Sequence, residues 1–382
     1  MKGFKNINAY VENKGIIVTD IAFDNGVITA IGNDLDITEE ITVPNGAIIL
    51  PGFVDRHIHG ANTSDTMDGS LEAITNLSLS LVKEGTTSYL ATTMTNSKED
   101  IITSLTSVKN YIEADNQDGA RLLGAHLEGP FISEKHIGAQ PLKYVCDPDV
   151  SLFKEFVEAS GKNVRLITLA PEETGALEFI KYAVDAGVKV SAGHSDAGYD
   201  AIVKAMDVGL DSVTHTFNAQ RGVHHRELGV AGSALLIDDL YAEAICDLIH
   251  LSAPALKLLL KCKPKDKIIL ITDSMRAKGL PDGESELGGQ KVFVKNGEAR
   301  LSNGALAGSV LQMNVAIKNL VSVLGVSLTE AVDFATINPA KSLGLDDKIG
   351  SIALNKNADF AILSKDFEVL KTIRNGKVVF EK

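Results

Sequence analysis

The sequence predicts an α/β fold: a (β/α)8 barrel of the TIM type, carrying a small β-sandwich domain built from both chain termini. Three observations carry that expectation. Between residues 51 and 343 the chain alternates strand-like and helix-like segments eight times. Both ends read as β-structure alone. Histidines and carboxylates stand where successive apolar strands end, the positions that a parallel barrel gathers on one face.

Residues 1–50 open with Gly15-Ile16-Ile17-Val18 and Val27-Ile28-Thr29-Ala30-Ile31 around the turn Asp24-Asn25-Gly26, a hairpin signal. Residues 344–382 mirror them, with Ala358 to Leu363, Val369 to Ile373, then Asn375-Gly376 and Val378-Val379-Phe380. Isolated hairpins are marginal in water, so the two ends are expected to assemble into one small β-domain, with the barrel of residues 51–343 inserted between them. Barrel strands are predicted at 53–58, 86–93, 121–127, 164–169, 188–193, 212–217, 241–247 and 267–272. Helices are expected over Ser70 to Glu84, Asp149 to Ser160, Gly175 to Ala186 and Tyr199 to Val208. Past the eighth strand, Gln290 to Leu301 reads as another hairpin around Asn296-Gly297. Helices over 315–324 and 328–335 follow, ending at Asn338-Pro339.

With 45% hydrophobic and only 5% aromatic residues, the core is expected to be aliphatic. No apolar run approaches the ~18 residues that cross a membrane, and Met1 to Asn6 has no signal-peptide core. Cys146, Cys246 and Cys262 are few, odd in number and without C-x-x-C spacing, which suits a reduced, cytoplasmic protein. A net charge of -13 argues against nucleic-acid or anionic-membrane partners. It leaves room for an anionic small molecule only through a local basic cluster.

Strand side chains alternate, so His57-x-His59 presents two imidazoles on one side of a strand exit, where both reach one metal. Glu128, His194 and His215, at the third, fifth and sixth exits, complete a two-histidine, one-carboxylate set. That set suits Zn2+ or Fe2+ with an open position. Asp273, at the eighth exit, is the natural general base or a further ligand; its bland alternative is a helix cap before Ser274. His126 shares the inward face with Glu128 at greater depth, either orienting a ligand or sitting as a core histidine. His224, His225 and Arg226 form a basic cluster or a solvated loop, and His250 stands where it reaches a polar substrate.

These residues with their flanks resemble the amidohydrolase superfamily, and within it the deacetylases of phosphorylated N-acetyl amino sugars. The matching stretches are Pro51 to Gly60, His126 to Phe131, Ala192 to Ser195, Thr214 to Ala219, Ile271 to Asp273 and Leu306 to Ser309. The resemblance implies that Glu128, His194 and His215 ligate a metal and that Asp273 is the catalytic acid and base. It implies one or two divalent metals, with His57 and His59 serving a second. It further implies that Asn218, Ala219, Arg226 and His250 hold a phosphorylated sugar, that Leu306-Ala307-Gly308 lines an acetamide pocket, and that the chain is a homodimer. Some members carry a histidine against the substrate carbonyl where this chain has Gln140. The expected reaction is removal of the N-acetyl group from N-acetylglucosamine 6-phosphate. A cyclic-amide hydrolase is the first rival. Those enzymes often bridge two metals with a modified lysine, and Val164 to Leu169 offers none. A non-catalytic scaffold is the second rival; it would be expected to lose ligands that this chain keeps.

Overall fold

The computed structural model describes residues 1–382. The terminal sheet contains β1 (Lys2–Val11), β2 (Gly15–Asp24), β3 (Val27–Gly32) and β4 (Ile48–Pro51). The barrel strands follow as β5 (Phe53–Ile58), β6 (Thr86–Thr93), β7 (Arg121–Glu128), β8 (Val164–Leu169), β9 (Lys189–Ala192), β10 (Ser212–Val213), β11 (Tyr241–Ile245) and β12 (Ile268–Ile271). They pair in parallel and in sequence order. Helices cover their outer faces, so every residue of β5 and β6 is buried, as parallel strands covered on both sides require. The barrel closes where β12 returns to β5. Asp273 N donates to His57 O at 2.9 Å, His59 N to Ser274 O at 2.9 Å, and Thr272 Oγ1 to Asp55 Oδ2 at 2.5 Å.

The predicted helices form with the caps their sequences supply. Ser70 accepts from Ala73 N ahead of Leu71–Leu81, and Asp149 from Ser151 N and Leu152 N ahead of Val150–Ala159. Helix Leu328–Ala335 carries a capping box between Ser327 and Glu330. Three details differ from expectation. The sixth strand pairs only over Ser212–Val213, because the backbone turns left-handed at His215 (φ 29°) and leaves the ladder. The hairpin after the barrel gains a third strand. It consists of β13 (Gly283–Leu287), β14 (Gln290–Lys295) and β15 (Glu298–Leu301), and β13 reads Gly-Glu-Ser-Glu-Leu with no apolar alternation to announce it. Asn338-Pro339 does not end the helical region. Ile337–Ser342 is a further short helix with Pro339 in its first turn, where the missing N–H costs nothing.

β16 (Phe360–Leu363), β17 (Val369–Arg374) and β18 (Lys377–Glu381) join the N-terminal strands in one sheet. That sheet curls back on itself: Ile28 N donates to Lys356 O at 2.9 Å and Ala358 N to Gly26 O at 2.8 Å. Phe4, Phe23 and Phe360 pack within it at ring separations of 5.3–5.7 Å. The barrel is tied to this domain by Arg121, whose Nη1 donates to Asp359 Oδ2 at 2.7 Å and whose Nη2 donates to Asn375 Oδ1 at 2.5 Å. Hydrogen bonds to a charged group contribute about 1.5–3 kcal/mol. Arg121→Ala is therefore expected to lower unfolding stability by roughly that amount in a urea titration while leaving catalytic turnover unchanged. Unaltered stability would show that the two units are held together elsewhere.

Candidate active site

Glu128, at the end of β7, is the meeting point of four imidazoles. Its Oε1 lies 3.0 Å from His215 Nε2, 3.3 Å from His194 Nε2 and 3.4 Å from His57 Nε2, and its Oε2 lies 3.2 Å from His59 Nε2. Asp273 Oδ1 approaches His57 Nε2 at 3.4 Å and His59 Nε2 at 3.2 Å. All six residues are buried. His57, His59 and Glu128 form one group able to hold a metal ion, and Glu128, His194 and His215 form another.

Hydrogen bonding at the far side of each ring decides whether a cation fits. His59 Nδ1 faces Thr92 O at 3.3 Å, His194 Nδ1 faces His136 O at 3.0 Å, and His215 Nδ1 faces Asn218 O at 3.1 Å. His57 Nδ1 faces Glu243 Oε2 at 3.2 Å. Carbonyl and carboxylate oxygens only accept, so each Nδ1 carries a proton, and a ring in its neutral form turns its Nε2 lone pair inward. His194 Nε2 and His215 Nε2 stand 3.2 Å apart, and buried His57 Nε2 has no hydrogen-bond partner. Lone pairs of four rings in their neutral form and of two carboxylates converge there, an arrangement that suits divalent cations, with the outer acceptors fixing the ligand tautomers.

The electrostatics point the same way. Burial disfavours the charged form of Glu128, yet His57 and the other facing imidazoles hold it well below the usual carboxylate range. Asp273 is likewise held down by His57 and His59 against its burial. Burial alone would lower His57 and His59, but the two carboxylates raise His57 well above its usual value and push His59 up to about 10. Burial and the neighbouring His57 lower His126, which packs edge-on against the His57 ring at 4.6 Å and accepts or donates at Thr168 Oγ1, 2.7 Å away. His126 therefore supports the His57 ring from below.

A cavity of about 370 Å3 opens over this floor. Its walls include His59, Glu128, His194, His215 and Asp273 with Gln140, Asn218, Ala219, His250, Leu306 and Gly308. Three sequence-predicted residues stand apart from it. His57 is enclosed beneath the floor. Ala307 packs into the core under β13 to β15 rather than lining the pocket, because its neighbours carry the exposed faces of the turn. Arg226 lies exposed on its loop, with Nη1 2.6 Å from His225 Nε2, outside the chain's own cavity. Gln140 is already engaged: Nε2 donates to Glu128 Oε2 at 2.8 Å and Oε1 accepts from Thr95 N at 2.8 Å, which leaves one N–H uncommitted. Sequence reasoning missed Asp247, Glu243 and Arg300. Asp247 Oδ2 accepts from His250 Nδ1 at 2.6 Å. Glu243 was detectable as the one charge within the apolar run Tyr-Ala-Glu-Ala-Ile. Arg300 lines the cavity from β15.

Cation binding must displace the protons that the carboxylates otherwise hold on the imidazoles. With His59 at about 10 in the cation-free chain, binding between pH 7 and 9 is expected to release protons, and affinity is expected to rise with pH over that interval. The linked stability has a definite sign. His59 stabilises the cation-free fold fully below its unfolded value of 6.5, and that contribution is lost as pH rises through about 10. Calorimetric titration in buffers of different ionisation enthalpy measures the release; pH-independent affinity with no proton exchange would overturn this account.

Residues 48–379 match the amidohydrolase family. An N-acetylglucosamine-6-phosphate deacetylase of Bacillus subtilis (strain 168) is 40% identical over 98% of this chain and 96% of its own length. The crystal structure of such a deacetylase from Thermotoga maritima superposes with a TM-score of 0.90, at 36% identity and 99% coverage of both chains. A Mycobacterium smegmatis variant enzyme, solved in complex with N-acetyl-D-glucosamine-6-phosphate, gives a TM-score of 0.91 at 27% identity, covering 99% of this chain and 98% of its own. By sequence and fold over nearly its whole length, the chain belongs to the amidohydrolase family, in the group of N-acetylglucosamine-6-phosphate deacetylases.

Proposed function

We propose that this enzyme hydrolyses N-acetylglucosamine 6-phosphate to glucosamine 6-phosphate and acetate. One observation carries the chemistry: a buried carboxylate, Asp273, lines the cavity directly beside two groups able to hold a metal that share Glu128. The relatives supply the substrate. Glu128, His194 and His215 would hold one divalent cation, and His57, His59 and Glu128 a second, Zn2+ or Fe2+ by the nitrogen-rich ligand set. Bound cations supply positive charge that acidifies water and polarises the amide carbonyl.

Asp273, ionised at neutral pH, takes a proton from the water as its oxygen bonds to the carbonyl carbon. The C–N bond then breaks, and Asp273 returns that proton to the departing amine nitrogen, so acetic acid leaves, ionising to acetate, and the Asp273 carboxylate is restored. Gln140 holds Glu128 in register through its 2.8 Å bond, and its second N–H remains for the substrate carbonyl. His250, with Nδ1 committed to Asp247, offers Nε2 to a sugar hydroxyl. Leu306 and Gly308 flank the acetyl group. Asn218 and the Ala219 backbone N–H supply donors to the phosphate. Arg226 completes the phosphate site from a second copy of the chain, which fits its exposure and a homodimer. Three free cysteines fit a reducing, cytoplasmic setting, and no helix is long and apolar enough to cross a membrane.

Two outcomes test this reading. Asp273→Asn should retain the fold and bind substrate while kcat falls about 10²- to 10⁴-fold, as steady-state acetate release would measure. Near-normal turnover would place the base elsewhere. Arg226→Ala should lower kcat/KM for the 6-phosphate about 10- to 150-fold, the worth of a charged hydrogen bond, and change hydrolysis of unphosphorylated N-acetylglucosamine far less. Equal losses on both substrates would make Arg226 structural.

A further inference from the structure

Beneath the candidate cation groups lies an ion pair that the reaction as described does not use. Glu243 and Arg56 are both fully buried. Arg56 Nε donates to Glu243 Oε1 at 2.7 Å, and Arg56 Nη1 donates to Ser342 Oγ at 3.0 Å. Glu243 Oε2 accepts twice, from His57 Nδ1 at 3.2 Å and from the backbone N–H of His215 at 3.2 Å. Desolvating such a pair is expensive, and a well-packed apolar pair in its place is often as stable or more so. An apolar pair could therefore fill the same place in an aliphatic core, and the bonds this pair makes indicate what it does.

The four ligand-type imidazoles are not held alike. His59, His194 and His215 each give their Nδ1 proton to a neutral backbone carbonyl. His57 alone gives it to a carboxylate. A carboxylate acceptor fixes the tautomer more firmly and makes the opposite nitrogen a stronger donor of its lone pair. Without it, the alternative tautomer would aim an N–H at Glu128 and Asp273 and become their hydrogen-bond donor instead of a cation ligand. Arg56 neutralises Glu243 and fixes its rotation, so that Oε2 faces His57.

We propose that Arg56 and Glu243 form a positioning pair that creates the His57/His59 cation subsite. This rests on the two-cation reading above.

The test is a Zn2+ titration of chelator-stripped enzyme, with kcat and KM measured in parallel. Wild type is expected to take up two equivalents. Glu243→Gln keeps the shape, but its single carbonyl oxygen cannot serve His57 and Arg56 together. Its affinity for one equivalent should fall about 10- to 100-fold, the other should stay near wild type, and kcat should drop with KM little changed. Should the buried amide impair folding, Arg56→Met/Glu243→Met removes both charges and should show the same selective loss. Two equivalents retained at wild-type affinity in these variants would overturn the proposal alone, as would equal weakening of both. A wild type that takes up one equivalent would instead fail the two-cation reading, and the proposal with it, before any variant is compared.

Discussion

One buried carboxylate organises the site. Glu128 lies within 3.4 Å of four imidazole nitrogens delivered by three other strand exits, and each ring in its neutral form presents a lone pair toward it. Apart from the Gln140 amide, such an arrangement has no donors of its own. It is held together either by protons, which the raised values of His57 and His59 describe, or by cations. The fold serves this requirement. Parallel strands bring the groups to one end of the barrel. Acceptors at each far nitrogen forbid the tautomer that would relieve the repulsion.

Holding that geometry strains the backbone at the strand exits. His194, His215 and Asp273 have φ values of 23°, 29° and 47°, a region where non-glycine residues cost on the order of 1–3 kcal/mol each. The neighbouring backbone holds these conformations in place. Ser133 N donates to His194 O at 2.8 Å, Thr216 N to Glu243 O at 2.9 Å, and Ser309 N to Asp273 O at 2.8 Å. The Ser133 bond also secures the loop that brings Gln140 to Glu128, so strain at the fifth exit and ligand alignment at the third are mechanically linked.

Most of the eight strands were legible from their apolar runs, and the six inward groups because five of the strand exits carry a histidine or carboxylate. β13 was not legible, since its exposed Gly-Glu-Ser-Glu-Leu sequence pairs through backbone bonds that composition does not mark. Pro339 looked like a terminator because helix interiors exclude proline, whereas first turns accept it. Gln140 was identified by position but its partner was not. A loop residue's contacts depend on where the loop folds, and this one folds onto Glu128. Glu243 carried a local signal, a charge in an apolar strand, but its meaning depends on Arg56 and His57, nearly 190 residues away.

An acidic chain with a net charge of -13 offers no long-range attraction to a phosphorylated sugar. The charge distribution at the barrel mouth resolves the difficulty locally. Arg56 cancels Glu243, and the imidazoles are neutral as ligands, which leaves Glu128 and Asp273 as the two carboxylates that line the cavity. One divalent cation would make that floor neutral, and two would make it positive inside a cavity walled by low-dielectric protein, where fields reach further than in water. The Arg56–Glu243 pair thus has a second consequence. By supplying a carboxylate to His57 without adding net charge, it strengthens a ligand while preserving the positive balance that an anionic substrate needs. A lone carboxylate at Glu243 would fix the same tautomer but subtract from that balance, which is a physical reason for burying the arginine beside it.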